Sequence, residues 1–157
     1  TDTVTWTTQT SNFDYNYNER IFSIAYGNNL WVAAGYAGQL RTSTDAITWT
    51  TRTSNFGYAD IRSVAYGSNG WVAGGFVGTL RTSADAITWT TQTSNFGNTA
   101  IFSVAYGNNI WVAGGEAGKL RTENPAERQL VLTATVANAN STGSEATAIL
   151  EKTVVVA

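Results

Sequence analysis

A chain of 157 residues with 43% hydrophobic content can bury a core, and its 13% charged residues, against roughly 25% in an ordinary domain, leave a neutral polar surface rich in Thr, Ser, Asn and Gly. A formal net charge of -2 supplies no cationic field for a phosphate backbone, so nucleic acid is not expected as a partner, and apolar runs as short as Val154 to Ala157 exclude a membrane-spanning helix. Cys, His and Met are absent, which removes disulfides, thiolate nucleophiles, imidazole bases and ordinary zinc sites, so neither metal nor cofactor is expected.

The chain opens on Thr1 rather than Met, as expected of a processed chain or an excised segment, and shows no signal-peptide pattern. Its first predicted element is a strand at Val4 to Thr8, within TVTWTTQTSNF. That piece returns as AITWTTRTSNF from Ala46 and AITWTTQTSNF from Ala86. Trp6 and Trp49 are 43 residues apart whereas Trp49 and Trp89 are 40 apart, and the extra residues fall within Asp14 to Arg20, which marks a surface loop. Next comes IFSIAYGNNLWVAAGYAGQLRT from Ile21, repeated from Ile61 and again from Ile101. Self-similarity at 40 residues is the signature of a propeller or an array.

Each unit reads as four short strands in an antiparallel meander, with very little helix. In the second unit they are Ile61 to Tyr66, Trp71 to Gly75, Thr79 to Ser83 and Ile87 to Thr93, with turns at Gly67 to Gly70, at Gly78 and at Ala84 to Ala86. The small residues of WVAGG suit crowded strands near a central axis. Beyond Thr122 the composition changes at Pro125, the only proline, so residues 1–122 are expected to form the repeat domain and 123–157 a β-rich tail. Two strand-like stretches there, Gln129 to Ala139 and Ala146 to Val156, flank Asn140 to Ser144 as a hairpin. A lone hairpin is marginal in water, so the tail is expected to pack on the repeats or pair with another chain. Asn140 also stands in an N-x-S/T pattern.

At the turn after the third strand, the residues Ser43, Asp45, Thr48 and Trp49 in STDAITW, and Ser83, Asp85, Thr88 and Trp89 in SADAITW, resemble the Asp-box or BNR-type repeat of sialidase-like β-propellers. Ala46 and Ala86 stand where that family usually has Gly, and the third copy degenerates after Thr122. The resemblance implies a structural turn in which the Asp accepts backbone hydrogen bonds and the Trp packs between blades. The fold class is therefore all-β, three four-stranded propeller-like blades plus a C-terminal hairpin, with a β-prism as the alternative. Three blades fall short of the four to eight of known propellers, so a homo-oligomer is expected, a dimer closing six blades being the simplest case. The terminal edges are complementary: the chain begins with a fourth-strand segment and its last unit stops after a third strand.

Sialidases use an arginine cluster, a Tyr nucleophile and carboxylates. Arg41, Arg81 and Arg121 recur once per unit, which marks a scaffold position, and Asp14, Glu19, Asp60 and Glu116 do not recur as a set. No catalytic residue is assigned and the chain is expected not to be an enzyme. The resemblance places the blade-connecting loops and the turns between second and third strands on one face, opposite the Asp boxes. Candidate ligand-binding residues there are Asn12, Tyr15, Tyr17, Glu19, Arg20 and Tyr36, then Tyr58, Asp60 and Phe76, then Asn98 and Glu116. Aromatic rings beside Asn and Asp suit sugar stacking and equally suit a protein interface. The bland reading of the Ser-Asn-Phe loops is that Phe13, Phe56 and Phe96 plug the blade junctions while Asn caps the loop. The expected function is a non-enzymatic structural or adhesive module on a virion or cell exterior, such as a bacteriophage fibre or capsid decoration, contacting other virion proteins or a surface glycan. A carbohydrate-binding lectin is the alternative, and a sialidase-like glycosidase a third reading.

Overall fold

The computed structural model describes residues 4–11, 13, 20–68 and 70–123, and the backbone of 131–135 and 147–151. It divides into two compact units, residues 1–122 and 123–157. The first unit holds three antiparallel sheets, one per repeat. The first is β1 (Ile21–Gly27), β2 (Leu30–Gly35), β3 (Leu40–Ser43) and β4 (Thr50–Arg52), and the second is β5 (Ile61–Gly67), β6 (Gly70–Gly75), β7 (Leu80–Ser83) and β8 (Thr90–Gln92), each in simple meander order. The third contains β9 (Ile101–Gly107), β10 (Ile110–Gly115) and β11 (Leu120–Thr122). In the second unit β12 (Val131–Thr135) pairs antiparallel with β13 (Thr147–Glu151), from Val131 opposite Glu151 to Thr135 opposite Thr147. Among the described residues no helix is long and apolar enough to cross a membrane.

Local sequence explains the meander. Asn28 and Asn29 both adopt positive φ, 48° and 57°, the conformation that a two-residue hairpin needs and that Asn tolerates, and Asn108 and Asn109 repeat it. The second and third strands are joined by a short 3₁₀ turn in which Ala37 and Gly38 are both left-handed, a geometry repeated at Val77-Gly78 and Ala117-Gly118. Each such turn is tied down by a backbone hydrogen bond to the residue preceding its own blade's first strand. The N–H of Tyr36 donates to Arg20, that of Phe76 to Asp60 and that of Glu116 to Ala100, at 2.9–3.0 Å.

The sheets stack face to face in succession, with the first strands of consecutive sheets side by side. Alternation along each strand places Val32, Ala34 and Leu40 of the first sheet against Ile61, Val64, Trp71 and Ala73 of the second, around Phe56. The second junction repeats this with Val72 and Leu80 against Ile101, Val104, Trp111 and Ala113, around Phe96. The two Phe plugs are therefore core residues, buried at the junctions where the loops enter. Ser side chains stitch the inner strands: the Val64 N–H donates to Ser23 Oγ, and the Val104 N–H to Ser63 Oγ, both at 3.0 Å.

The architecture is all-β and propeller-like, and the three sheets do not close on themselves. Several expectations are corrected in detail. The fourth strand of the second unit is Thr90–Gln92 rather than Ile87 to Thr93, because the Ile87 and Thr88 N–H groups are taken by the Asp85 carboxylate and are lost to any ladder. Val4 to Thr8 forms no strand, and Trp6 stands exposed. The WVAGG glycines are crowded in two ways: a Cβ on Gly74 would meet Ile101 Cγ2 of the neighbouring blade at 2.6 Å, and one on Gly75 would meet the Asp60 carbonyl of its own blade. The first strands, not these second ones, make most of the blade-to-blade contact.

Candidate binding face

The two Ser-x-Asp-Ala-Ile-Thr-Trp turns are built alike. Asp45 Oδ1 accepts from the N–H of Ile47 (2.8 Å), the N–H of Thr48 (2.7 Å) and Ser43 Oγ (2.8 Å), and Asp85 does the same with Ile87, Thr88 and Ser83. These amides, that of Thr48 foremost, hold the Asp45 carboxyl at about 2, and those of Thr88 and Ile87 hold Asp85 below the ordinary carboxylate value. Both acids are ionised turn-formers. The indole N–H of each Trp closes the turn, Trp49 onto the carbonyl of Ala46 and Trp89 onto that of Ala86. Ala46 and Ala86 themselves sit at φ 60°, the left-handed region for which Gly is better suited.

The repeated arginines are junction staples. The Arg41 guanidinium lies over the Phe13 ring at 4.7 Å, Arg81 over Phe56 at 5.1 Å and Arg121 over Phe96 at 5.4 Å. Arg81 also donates to the Asn55 carbonyl at 3.0 Å, and Asn55, left-handed at φ 61°, donates its side-chain amide to the Trp89 carbonyl.

The loop end is held by a second set of bonds. Ser54 Oγ donates to the Gly38 carbonyl and Ser94 Oγ to the Gly78 carbonyl, both at 2.6 Å, which fastens each junction loop to the preceding 3₁₀ turn. Asp60 is buried, accepting from the Ala37 N–H (2.9 Å) on one oxygen and from Arg62 Nη2 (3.0 Å) on the other. Arg62 is the feature that sequence reasoning missed. Its guanidinium is sandwiched between Phe22 of the first blade (4.1 Å) and Phe76 of its own (4.2 Å), and its Nε, buried, has no hydrogen-bond partner among the described residues. Phe22, Arg62 and Phe102 occupy the same position, second in the first strand of successive blades, so they form a mixed cationic and aromatic row beside the loops.

Of the candidate residues, Asn12, Tyr15, Tyr17 and Glu19 lie outside the described residues, as does Asn140. Tyr58 is 95% exposed, and Arg20, Tyr36, Asn98 and Glu116 are exposed as well. Asp60 and Phe76 are brought together by Arg62, as supports rather than as open contacts. Glu116 accepts from the Ala100 N–H at 3.3 Å, and Lys119 donates to the Phe96 carbonyl and to Thr99 Oγ1. Among the described residues no group of three or more Asp or Glu could hold a metal ion.

No family model matches the chain, and no curated protein matches it. A search of solved structures finds YCF48 bound to D1 peptide, with a TM-score of 0.53 at 15% identity over 69% of this chain and 37% of that one. The chain thus spans well under half the length of that protein. The computationally designed Ika4 protein aligns over 69% of this chain and 93% of its own, at 12% identity and a TM-score of 0.40.

Proposed function

We propose that this chain is a non-enzymatic adhesive module of an extracellular or virion assembly, a fibre or capsid-decoration domain of a bacteriophage being the favoured case, and that it binds through the loop end of its blades. Kinship with the Asp-box repeats belongs to this proposal, resting on the Ser43-Asp45-Thr48-Trp49 and Ser83-Asp85-Thr88-Trp89 turns. The observation that carries the reading is the division of labour among polar groups. Asp45, Asp60, Asp85 and Glu116 are each engaged with backbone amides or with Arg62. Tyr58, Tyr36 and Phe102 meanwhile stand out from a loop end cross-braced by hydrogen bonds. The low charge and near-identical Thr- and Asn-rich repeats favour an exterior location.

A lectin is the second reading, favoured by the bare ring of Tyr58, which suits stacking on a sugar. The peptide carried by YCF48 favours a protein target instead. Parallel glycan and peptide arrays separate the two, using the wild type and a Tyr36→Ala/Tyr58→Ala variant that melts normally. Binding lost in the variant supports the loop end as the site. Undiminished binding, or turnover of sialosides or aryl glycosides by the wild type, overturns the proposal.

A further inference from the structure

Because the three blades use the same residues, each outer face can be compared with what the same positions do at an internal junction. Inside, Tyr66 covers Gly27 and Tyr106 covers Gly67, so closely that a Cβ on either glycine would lie 2.1–2.3 Å from ring atoms. The first and last sheets keep one half each of this arrangement unused. On the first sheet Ile24 is 54% exposed, where its counterpart Val64 is 4% exposed, and Tyr26 covers no glycine among the described residues. On the third sheet Gly107 has open space where Gly27 and Gly67 receive a ring, and Leu120 is 63% exposed where Leu40 is fully buried.

A second mismatch points to the same place. The stretch Trp6 to Gln9 reads WTTQ, like Trp89 to Gln92, which contains β8, yet it pairs with nothing described and Trp6 is 94% exposed. Strand β11, unlike β3 and β7, has no outer neighbour among the described residues. The core at the second junction contains no counterpart of Trp89, and Trp111 there is half-buried where Trp71 is fully buried.

We propose that a second copy of this chain docks head to tail on the open face of the third sheet, repeating the internal junction. Its Tyr26 covers Gly107 and its Ile24 N–H donates to Ser103 Oγ, as Val104 donates to Ser63 Oγ. Its Thr7 to Gln9 pairs with β11 as Thr50 to Arg52 pairs with β3, which sets Thr7 opposite Thr122 and Gln9 opposite Leu120. Its Trp6 then fills the second junction. The chain order of added strand, Ser-Asn-Phe loop and docked sheet is that of every internal junction. Two copies supply six blades, the one multiple of three within the roughly four to eight of known propellers, so the contact closes instead of propagating. This goes beyond the binding role and does not depend on it.

Light scattering on the 157-residue chain, at concentrations well above micromolar, is expected to give the mass of two chains. Ile24→Glu and Gly107→Glu each alter a residue on an open face, and Gly107 lies outside the left-handed region, so both variants should melt like dilute wild type. Each alone is expected to be monomeric, whereas an equimolar mixture regains a 1:1 complex through the one intact pair of faces. Trp6→Ala is expected to weaken the dimer by about tenfold or more, ~1.4 kcal/mol or above. A wild type that stays monomeric overturns the proposal, as do variants that each dimerise alone, which would mean that like faces pair, and failure of the mixture to recover. Unchanged association of Trp6→Ala overturns the strand addition.

Discussion

The same Trp follows the Thr of three near-identical segments, and the structure gives the three copies different surroundings, so truncating each in turn separates motif from environment. Trp89 is 2% exposed among Val32, Leu40, Phe56, Ile61 and Trp71, and its indole N–H donates to the Ala86 carbonyl at 3.2 Å. A buried Trp removes about 150–250 Å² from water, ~4–6 kcal/mol as an upper bound at ~25 cal/mol per Å². Measured truncations of buried aromatics cluster near ~3–5 kcal/mol, which includes the cavity left behind. Trp89→Ala should therefore cost ~3–5 kcal/mol, a large share of a stability of roughly 5–15 kcal/mol. Trp49, half-buried, should cost about half as much. Trp6→Ala should leave the isolated chain unchanged. Urea unfolding followed by circular dichroism, at concentrations low enough to keep chains apart, measures all three. Equal losses at Trp89 and Trp6 would refute the reasoning, because they would mean that the motif itself, rather than the junction it enters, carries the energy.

Four further outcomes follow. Asp45 is ionised down to about 2 in the fold against an ordinary 3.8, and a folded value below the unfolded one stabilises above that ordinary value and fades as pH falls from there toward 2. Acid titration of stability should show that loss, and Asp45→Asn/Asp85→Asn should flatten it. Gly67→Ala forces a Cβ to within 2.3 Å of the Tyr106 ring and should cost ~1–3 kcal/mol in urea unfolding, whereas Gly107→Ala should cost nearly nothing in the dilute chain. Arg62→Ala leaves Asp60 buried with one partner and should cost ~1–3 kcal/mol, and Lys should not restore it, since only a planar guanidinium stacks between Phe22 and Phe76. Ala46→Gly relieves a left-handed Ala at φ 60° and should raise the thermal midpoint slightly, while at the fully buried Ala86 the lost methyl cancels the gain.

What the sequence made legible was whatever the repeat itself enforces. Turn residues, strand alternation and the Phe plugs recur, and local chemistry decides each of them, so Asn28-Asn29 and Asp45 behave as their residue types dictate. Burial of Trp was legible only as a tendency, because it depends on which blade lies alongside: the same WTT segment is core at Trp89 and solvent-facing at Trp6. Strand length at β8 was overestimated for a related reason. Periodicity in AITWTTQT reads as a strand, but the Asp85 carboxylate captures the first two amides before any ladder can. Arg62 was invisible because its partners come from another blade and from a turn 14 residues on, neither of which repeats an Arg.

That contrast bears on where specificity resides. Positions held constant between repeats, such as Ser63, Arg81 and Phe96, are occupied with junction contacts. At the loop end the copies differ in chemistry: Arg62 between Phe22 and Phe102 in the row, Tyr58 against Asn98, Phe76 between Tyr36 and Glu116, Lys119 against Thr79. The variation also makes the three blades chemically unequal, cationic and aromatic at the second and bearing both charges at the third. Under the proposed binding role, a ligand held across them is read in one orientation, and exchanging Arg62 with Phe102 should alter its recognition even if the fold withstands the swap.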